Sequence, residues 1–433
     1  MEKNKLELYN SKEEYLKDLE KRGKLPEGFK TSVVSLEFFP AERPVEKPLP
    51  MKLSLLMLDK PTSVFGAVFT RNKCPGAPVI IGKERLLSDK VRGVIINNKI
   101  SNVCTETGVK DSNMLLEHLA KETGCLPQEF FPSSTGIIGW QLPVKDMVQN
   151  IPRLVSALAP GTGVNLAEGI MTTDTFPKLR SAEVGDGCIV AVAKGAGMIE
   201  PNMATMLSFI MTDISMERDI IRDILKRVVE KTYNSISVDG DQSTSDTVII
   251  MSSCEKKKVS EKEFEDALYK VCLDLSVDIV RNSEGCGHVV KASVTGASDF
   301  ETARNIGKAI VNSPLVSTAI FGNDPNVGRL LSSIGDYAGN NNIELNKDKI
   351  SISLGGDIVF EKGAFRLDQE KELRLVHYLK SRVLDSDHKT FPEHNYTVNI
   401  DVNLGMSSGN GNATVFGSDL SYGYVRENAD YRS

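Results

Sequence analysis

The run from Lys194 to Leu207, Lys-Gly-Ala-Gly-Met-Ile-Glu-Pro-Asn-Met-Ala-Thr-Met-Leu, sets a threonine behind a small alanine. A turn precedes it, and an apolar stretch, Met206 to Met211, follows and reads as a buried strand. This setting suits a threonine that severs its own peptide bond: Thr205 Oγ attacks the Ala204 carbonyl, an ester forms, and water releases it. Scission frees an α-amine on Thr205 with a reference pKa of about 7.7 to 8.0, so near neutral pH a useful fraction can take the hydroxyl proton. One residue then supplies nucleophile and base. Taken alone, an Ala-Thr dipeptide is commonplace, and a plain strand threonine is the simpler reading. The close glycines Gly195 and Gly197 do not make a phosphate loop, because Lys194 precedes them and Pro201 interrupts the helix that should follow.

Other chemistry-bearing patterns carry less. Gly405 to Gly409 spells G-x-S-x-G, but no histidine follows His394, so a hydrolase triad in the order Ser, acid, His does not close. A glycine-rich turn after a strand is the expectation there. The histidines His118, His288, His377, His388 and His394 form no i, i+4 pair and no H-E-x-x-H, which favours surface or core roles. Seven widely spaced cysteines, without a C-x-x-C pair, predict reduced and mostly buried thiols and no zinc site.

The Lys194 to Leu207 run closely resembles the cleavage-site signature of the ornithine acetyltransferase and glutamate N-acetyltransferase family, arginine-pathway enzymes that mature by self-cleavage before a threonine. Further blocks resemble that family in the same order: Ser134 to Gly139, Met171 to Thr175 with Pro177-Lys178, Val238 to Asp241 with Ser243-Thr244 and Asp246-Thr247, Asn323 to Asn326 with Gly328-Arg329, and Asn428 to Ser433. The likeness is strongest from Ser134 to Ser433 and reaches back to roughly Pro26. Several spaced motifs in one order are far more specific than any short pattern.

The resemblance implies residue roles. Thr205 is the nucleophile, Ala204-Thr205 the cleavage site, and Thr135 with Gly136 the oxyanion hole; Thr172, Lys194, Glu284, Asn428 and Ser433, together with Thr205, match substrate-binding positions. It implies a ping-pong N-acetyltransferase: N2-acetylornithine acetylates Thr205, ornithine leaves, and glutamate takes the acetyl group. No metal or prosthetic group is implied, although some members use acetyl-CoA as a donor substrate. The implied fold is α/β, a layered α/β/β/α sandwich with a second, smaller carboxy-terminal α/β region. Fragments 1–204 and 205–433 are expected to stay together in a heterotetramer of two alpha and two beta chains.

Some positions depart from the family pattern. The chain has Asn97-Asn98-Lys99-Ile100-Ser101-Asn102 where the family usually reads Asn-Ser-Gly-Asn-Ala-Asn, and Cys286-Gly287-His288 where it reads Ala-Thr-Lys after Glu284-Gly285. Ser245 replaces a common Asn, and Phe38 to Lys52 looks longer than usual. These changes bear on pocket selectivity, not on acyl-enzyme chemistry. Two other classes stay open: an amidohydrolase or aminopeptidase in which water resolves the acyl-enzyme, and a non-enzymatic protein that kept the fold.

The elements that must position these residues are legible in part. The chain has 433 residues, and Lys+Arg 52 against Asp+Glu 58 leaves a formal net charge of -6, which argues against an electrostatic nucleic-acid or membrane-surface binder. No apolar run approaches the roughly 20 residues that span a bilayer. Residues 1–25 read as an amino-terminal extension, either an amphipathic surface helix or a frayed segment, too acidic for a transit peptide, so a cytoplasmic enzyme is expected. The sandwich is expected over 26–296 and the second region over 297–433, with a break near Gly296. Phe38 to Lys52, with Pro40, Pro44, Pro48 and Pro50, predicts a loop or edge crossing. Strands are predicted at Leu53–Leu58, Val64–Thr70, Val79–Ile81, Val94–Ile96, Cys188–Val192, Thr247–Met251, Ile350–Leu354 and Thr397–Val402. Helices are predicted over Asp111–Glu122 and Val144–Leu158, and after Asp213, where Ile220, Ile221, Ile224, Leu225, Val228 and Val229 line one face. Ser260 with Glu263 and Ser298 with Glu301 predict capping boxes.

Overall fold

The structure is a computed structural model that describes residues 7–200, 206–383, 390–392, 396–406 and 409–429. Among these residues the strands form three sheets. The first orders Phe29–Phe38, Leu49–Thr62, Val91–Ile100 and Phe130–Ile137, antiparallel except for its last pair. The second orders Phe65–Phe69, Thr247–Lys256, Leu207–Ile214, Gly187–Lys194 and Lys178–Val184. Every residue of Leu207–Ile214 is buried, Ser208, Thr212 and Asp213 included, as expected of a central strand with both faces covered.

Alternation sorts the side chains between layers. Leu56, Val94, Ile96 and Phe131 of the first sheet meet Val192, Phe209, Met211 and Ile249 of the second in one core. The opposite face of the first sheet, Leu53, Leu55 and Ile95, packs on Leu115, Leu119, Met147 and Ile151 of helices Gly108–Thr123 and Val144–Ser156. The opposite face of the second sheet, Ile189, Ile210 and Val248, packs on Ile221, Leu225, Leu268 and Leu275 of helices Arg218–Lys231 and Glu261–Arg281. Each such buried side chain contributes about 1.5–3 kcal/mol relative to exposure. The result is the expected α/β/β/α sandwich.

The third sheet is the carboxy-terminal layer, built on the parallel pair Val289–Ala297 and Thr397–Asn403. Helices Phe300–Val311, Gly328–Asn340 and Gln369–Lys380 cover it through Ile306, Ile310, Ile334, Leu375 and Leu379. Gly296, at φ 67°, lies near the end of its strand, so the sheet itself reaches back to Val289.

Four expectations are corrected. Val79–Ile81 lies inside helix Ala77–Arg85, which Pro78 opens in the first turn; three apolar residues are too few to distinguish a period of two from one of 3.6. The strand Leu49–Thr62 takes in Pro50, which sits opposite Glu37 where only the first-strand partner is present; pairing on its other side begins at Leu53. The second cap is Asp299, not Ser298: Asp299 accepts from Thr302 N at 2.7 Å while Ser298 donates to Asp299. Of the seven free thiols only Cys272 and Cys286 are buried, whereas Cys74, Cys104 and Cys254 are exposed.

The other helices match their signals. Val144–Ser156 continues through Pro152, and Ser260 accepts from Glu263 N. Helix Lys12–Arg22 buries Tyr15 and Leu19 in the inter-sheet core, and Tyr15 Oη donates to the Pro177 carbonyl at 2.6 Å. The amino-terminal segment is thereby tied to the turn that carries Thr172.

Candidate active site

A cavity of about 350 Å³ opens where the two sandwich sheets and the carboxy-terminal helix Tyr422–Ala429 converge. Thr135, Gly136, Thr172, Lys194, Glu284 and Asn428, scattered over nearly 300 residues of sequence, all line it. So do Met206 and Leu207, with the Met206 carbonyl fixed by Thr247 N at 3.0 Å. Ala204, Thr205 and Ser433, singled out from the sequence, lie outside the described residues, as do Ser407 and Ser408 of the G-x-S-x-G run.

Thr135 and Gly136 come from the end of strand Phe130–Ile137. Gly136 is at φ 127°, and a Cβ there would stand 2.1 Å from the Lys99 carbonyl carbon on the neighbouring strand, so no larger residue fits. Thr135 is buried, and its Oγ1 accepts from Lys194 Nζ at 3.1 Å. Lys194 ends the strand Gly187–Lys194, one strand away from Lys178–Val184 in the second sheet.

Beneath this edge lies a buried charge cluster. Lys178 Nζ is 2.5 Å from Asp174 Oδ1 and 2.6 Å from Asn282 Oδ1, with both ionic side chains fully buried. Asp174 also accepts from Gly195 N and Thr172 N, each at 2.9 Å, so one carboxylate joins the Thr172 turn to the Lys194 loop. Burial alone would raise the Asp174 carboxyl, but the Lys178 and Lys194 ammonium groups hold it well below the usual carboxylate range. Burial pushes the Lys194 ammonium below its ordinary value, and the Asp174 carboxylate opposes that shift.

Glu284 follows helix Glu261–Arg281 and is held from two sides: Thr173 Oγ1 donates to Oε1 at 2.7 Å and Asn428 Nδ2 to Oε2 at 2.9 Å. Gly197 is needed opposite, since a Cβ there would lie 2.3 Å from Glu284 Oε2. The Glu284 loop is anchored in turn to the carboxy-terminal layer. Gly287 N donates to Asp419 Oδ1 at 2.8 Å, and the buried His288 ring spans Asp419 Oδ2 at 2.7 Å and the Leu379 carbonyl at 3.2 Å. Asp239 fixes the other rim by accepting from Met198 N and Ile199 N at 2.7 and 2.8 Å.

Sequence reasoning did not assign roles to Thr173, Asn282 or the Asp174–Lys178 pair, although Thr173, Asp174 and Lys178 lay in a block it singled out. Their work is to position the assigned residues, and no spacing rule announces that outside a helix. Chemically, the cavity joins several hydroxyls, a glycine at a close backbone approach, the Lys194 ammonium, the braced Glu284 carboxylate and the Asp246 carboxylate. That set suits a zwitterionic ligand and a reaction that develops negative charge near Thr135 and Gly136.

The model of the ArgJ family matches residues 45–433. Among curated relatives, the arginine biosynthesis bifunctional protein ArgJ 2 of Clostridium acetobutylicum is 38% identical over 366 residues, covering 84% of this chain and 89% of its own. The glutamate N-acetyltransferase of Methanosarcina mazei is 36% identical over 396 residues, covering 89% and 95%. A solved structure of the arginine biosynthesis bifunctional protein argJ from Bacillus halodurans is 34% identical, with a TM-score of 0.45, covering 52% of this chain and 100% of that one. With the family model spanning most of its length and relatives above one-third identity along nearly all of theirs, this chain belongs to the ArgJ family.

Proposed function

We propose that the protein is a glutamate N-acetyltransferase that carries the acetyl group on Thr205 after cutting its own chain between Ala204 and Thr205. The observation that carries this reading is the convergence of Thr135, Gly136, Thr172, Lys194, Glu284 and Asn428 on one cavity whose wall includes Met206, the neighbour of Thr205. In the first half-reaction Thr205 Oγ attacks the acetyl carbonyl of N2-acetylornithine, the freed α-amine of Thr205 takes the hydroxyl proton, and the C–N bond breaks as that proton passes to departing ornithine. In the second, the glutamate α-amine attacks the ester, and Oγ regains a proton as N-acetylglutamate leaves.

Thr135 and Gly136 face the oxygen that becomes negative in each tetrahedral intermediate, an arrangement of fixed donors that commonly lowers such barriers by a few kcal/mol. Lys194 holds the substrate α-carboxylate and Glu284 the ornithine ammonium, both by charge-assisted hydrogen bonds. The mature fragments, 1–204 and 205–433, would remain one unit and pair as two alpha and two beta chains in the cytoplasm. The expected division into 26–296 and 297–433 shifts to place the whole strand Val289–Ala297 with the carboxy-terminal region.

Intact-mass measurement after incubation with N-acetylornithine tests the reading directly. Wild type should appear as two fragments, the one beginning at Thr205 gaining an acetyl mass. Thr205→Ala should stay uncut and unlabelled, and Thr205→Ser should keep part of both reactions because a hydroxyl remains. A Thr205→Ala variant that still divides in two sinks the assignment. Acetate release at equal rates with and without glutamate would favour the amidohydrolase instead.

A further inference from the structure

Adjoining the active-site cavity lies a second concavity of about 530 Å³. It shares Gly136, Ile137, Thr172 and Thr173 with the first, so the two adjoin at the end of strand Phe130–Ile137. Their charges are opposed. The charged side chains lining the first cavity are Lys194, Asp246 and Glu284, and those lining the second are Lys52, Lys99, Arg426 and Glu427. Carboxylates outnumber cations in one, and cations outnumber carboxylates in the other. Lys52 Nζ donates to the Glu168 carbonyl at 3.0 Å, and among the described residues Lys52, Lys99 and Arg426 form no ion pair.

Lys99 is the unusual member of this wall. It stands at φ 101°, in the half of the backbone map that favours glycine, and it lies in register with Gly136 on the adjacent parallel strand. Asn98 pins the backbone beside it, accepting from Lys52 N at 2.6 Å and donating to the Met171 carbonyl at 2.7 Å. A lysine in a glycine-like conformation on a cavity wall is strained, and the surrounding structure must hold it there.

Ping-pong transfer asks one nucleophile to serve two amino acids whose side chains carry opposite charge. A cationic donor side chain suits Glu284. An anionic acceptor side chain placed there would meet Glu284 and Asp246 and be repelled. We propose that the groove lined by Lys99, Lys52 and Arg426 seats the side-chain carboxylate of the acceptor. Donor and acceptor then share the α-amino-acid end of the cavity and send their side chains into the two adjoining concavities. This inference rests on the acetyl-transfer reading of the site.

The test compares mature wild type with Lys99→Gly, which removes the charge and relieves the backbone, so loss of folding is not a confounding result. Acyl-enzyme formation is read as the ornithine burst from N-acetylornithine without acceptor, and the second step as kcat/KM for glutamate and for neutral glutamine. The expected result is a fall of about tenfold in the glutamate-to-glutamine preference, the scale of one charge-assisted hydrogen bond. Equal losses with both acceptors, or none with glutamate, would overturn the proposal. If wild type gives no ornithine burst, the transfer reading itself fails, and calorimetric binding of glutarate then decides the groove: weaker binding by Lys99→Gly upholds an anion seat, and equal binding removes it.

Discussion

At the scale of single residues, the site is braced by a buried ion pair, Asp174–Lys178, that does not itself line the cavity. Asp174 joins Lys178, Thr172 N and Gly195 N, so its loss releases both the Thr172 turn and the Lys194 loop. Removing one partner of a buried pair commonly costs about 3–5 kcal/mol, because the remaining charge stays buried. Asp174→Asn should show that loss in urea unfolding at pH 7. The folded carboxyl is held below its unfolded value, so the stabilisation is complete above the ordinary aspartate range and is lost as pH falls through and below it. The gap between wild type and Asp174→Asn should therefore narrow from pH 5 to pH 3; a constant gap would mean that the pair is not ionic. The residues of the cavity were legible because several ordered motifs name them, from Thr135-Gly136 to Asn428. Asp174 and Lys178 stood in the same block without a legible role, since burial of a charge pair is a property of the surrounding core.

At the scale of elements, periodicity served best where it was long. The face Ile220, Ile221, Ile224, Leu225, Val228 and Val229 needs several turns to repeat, and the helix Arg218–Lys231 buries all of it but Ile220, which stays partly exposed at the edge of the core. Short signals failed where context outweighs propensity, as at Val79–Ile81. The capping box at Ser298 failed by one residue because the neighbouring carboxylate competes for the same orphan donors: Asp299 is the stronger acceptor, and it takes the Thr302 N–H. Asp299→Ala should lower stability by about 1 kcal/mol, while Ser298→Ala should change it by a few tenths at most. Thermal or urea denaturation of the two variants checks this, and the reverse order would restore the serine as cap.

At the scale of the molecule, three sheets place the cavity where the sandwich meets the carboxy-terminal layer, a junction that pairing rules alone do not reveal from sequence. The order of the layers was implied by resemblance, whereas the His288–Asp419 tie between the Glu284 loop and the third sheet was not. Strands Gly187–Lys194 and Leu207–Ile214 are antiparallel neighbours in the middle of the second sheet, with Ala193 opposite Ser208 and Lys194 opposite Leu207. A cut at Ala204-Thr205 thus leaves its two products hydrogen-bonded along a buried seam. The fragments should co-elute as one species in native size exclusion and separate only in denaturant; independent elution would contradict the seam. The same pairing also bears on timing. An unfolded chain lets the threonine wander over a large volume relative to the amide it must reach, whereas a closed hairpin confines both ends of the connecting segment within a strand's spacing. Under the proposed scission, cutting would be a record of folding: a molecule still in one piece would be one whose central sheet has yet to zip, and the ratio of long to short bands would become a clock for assembly.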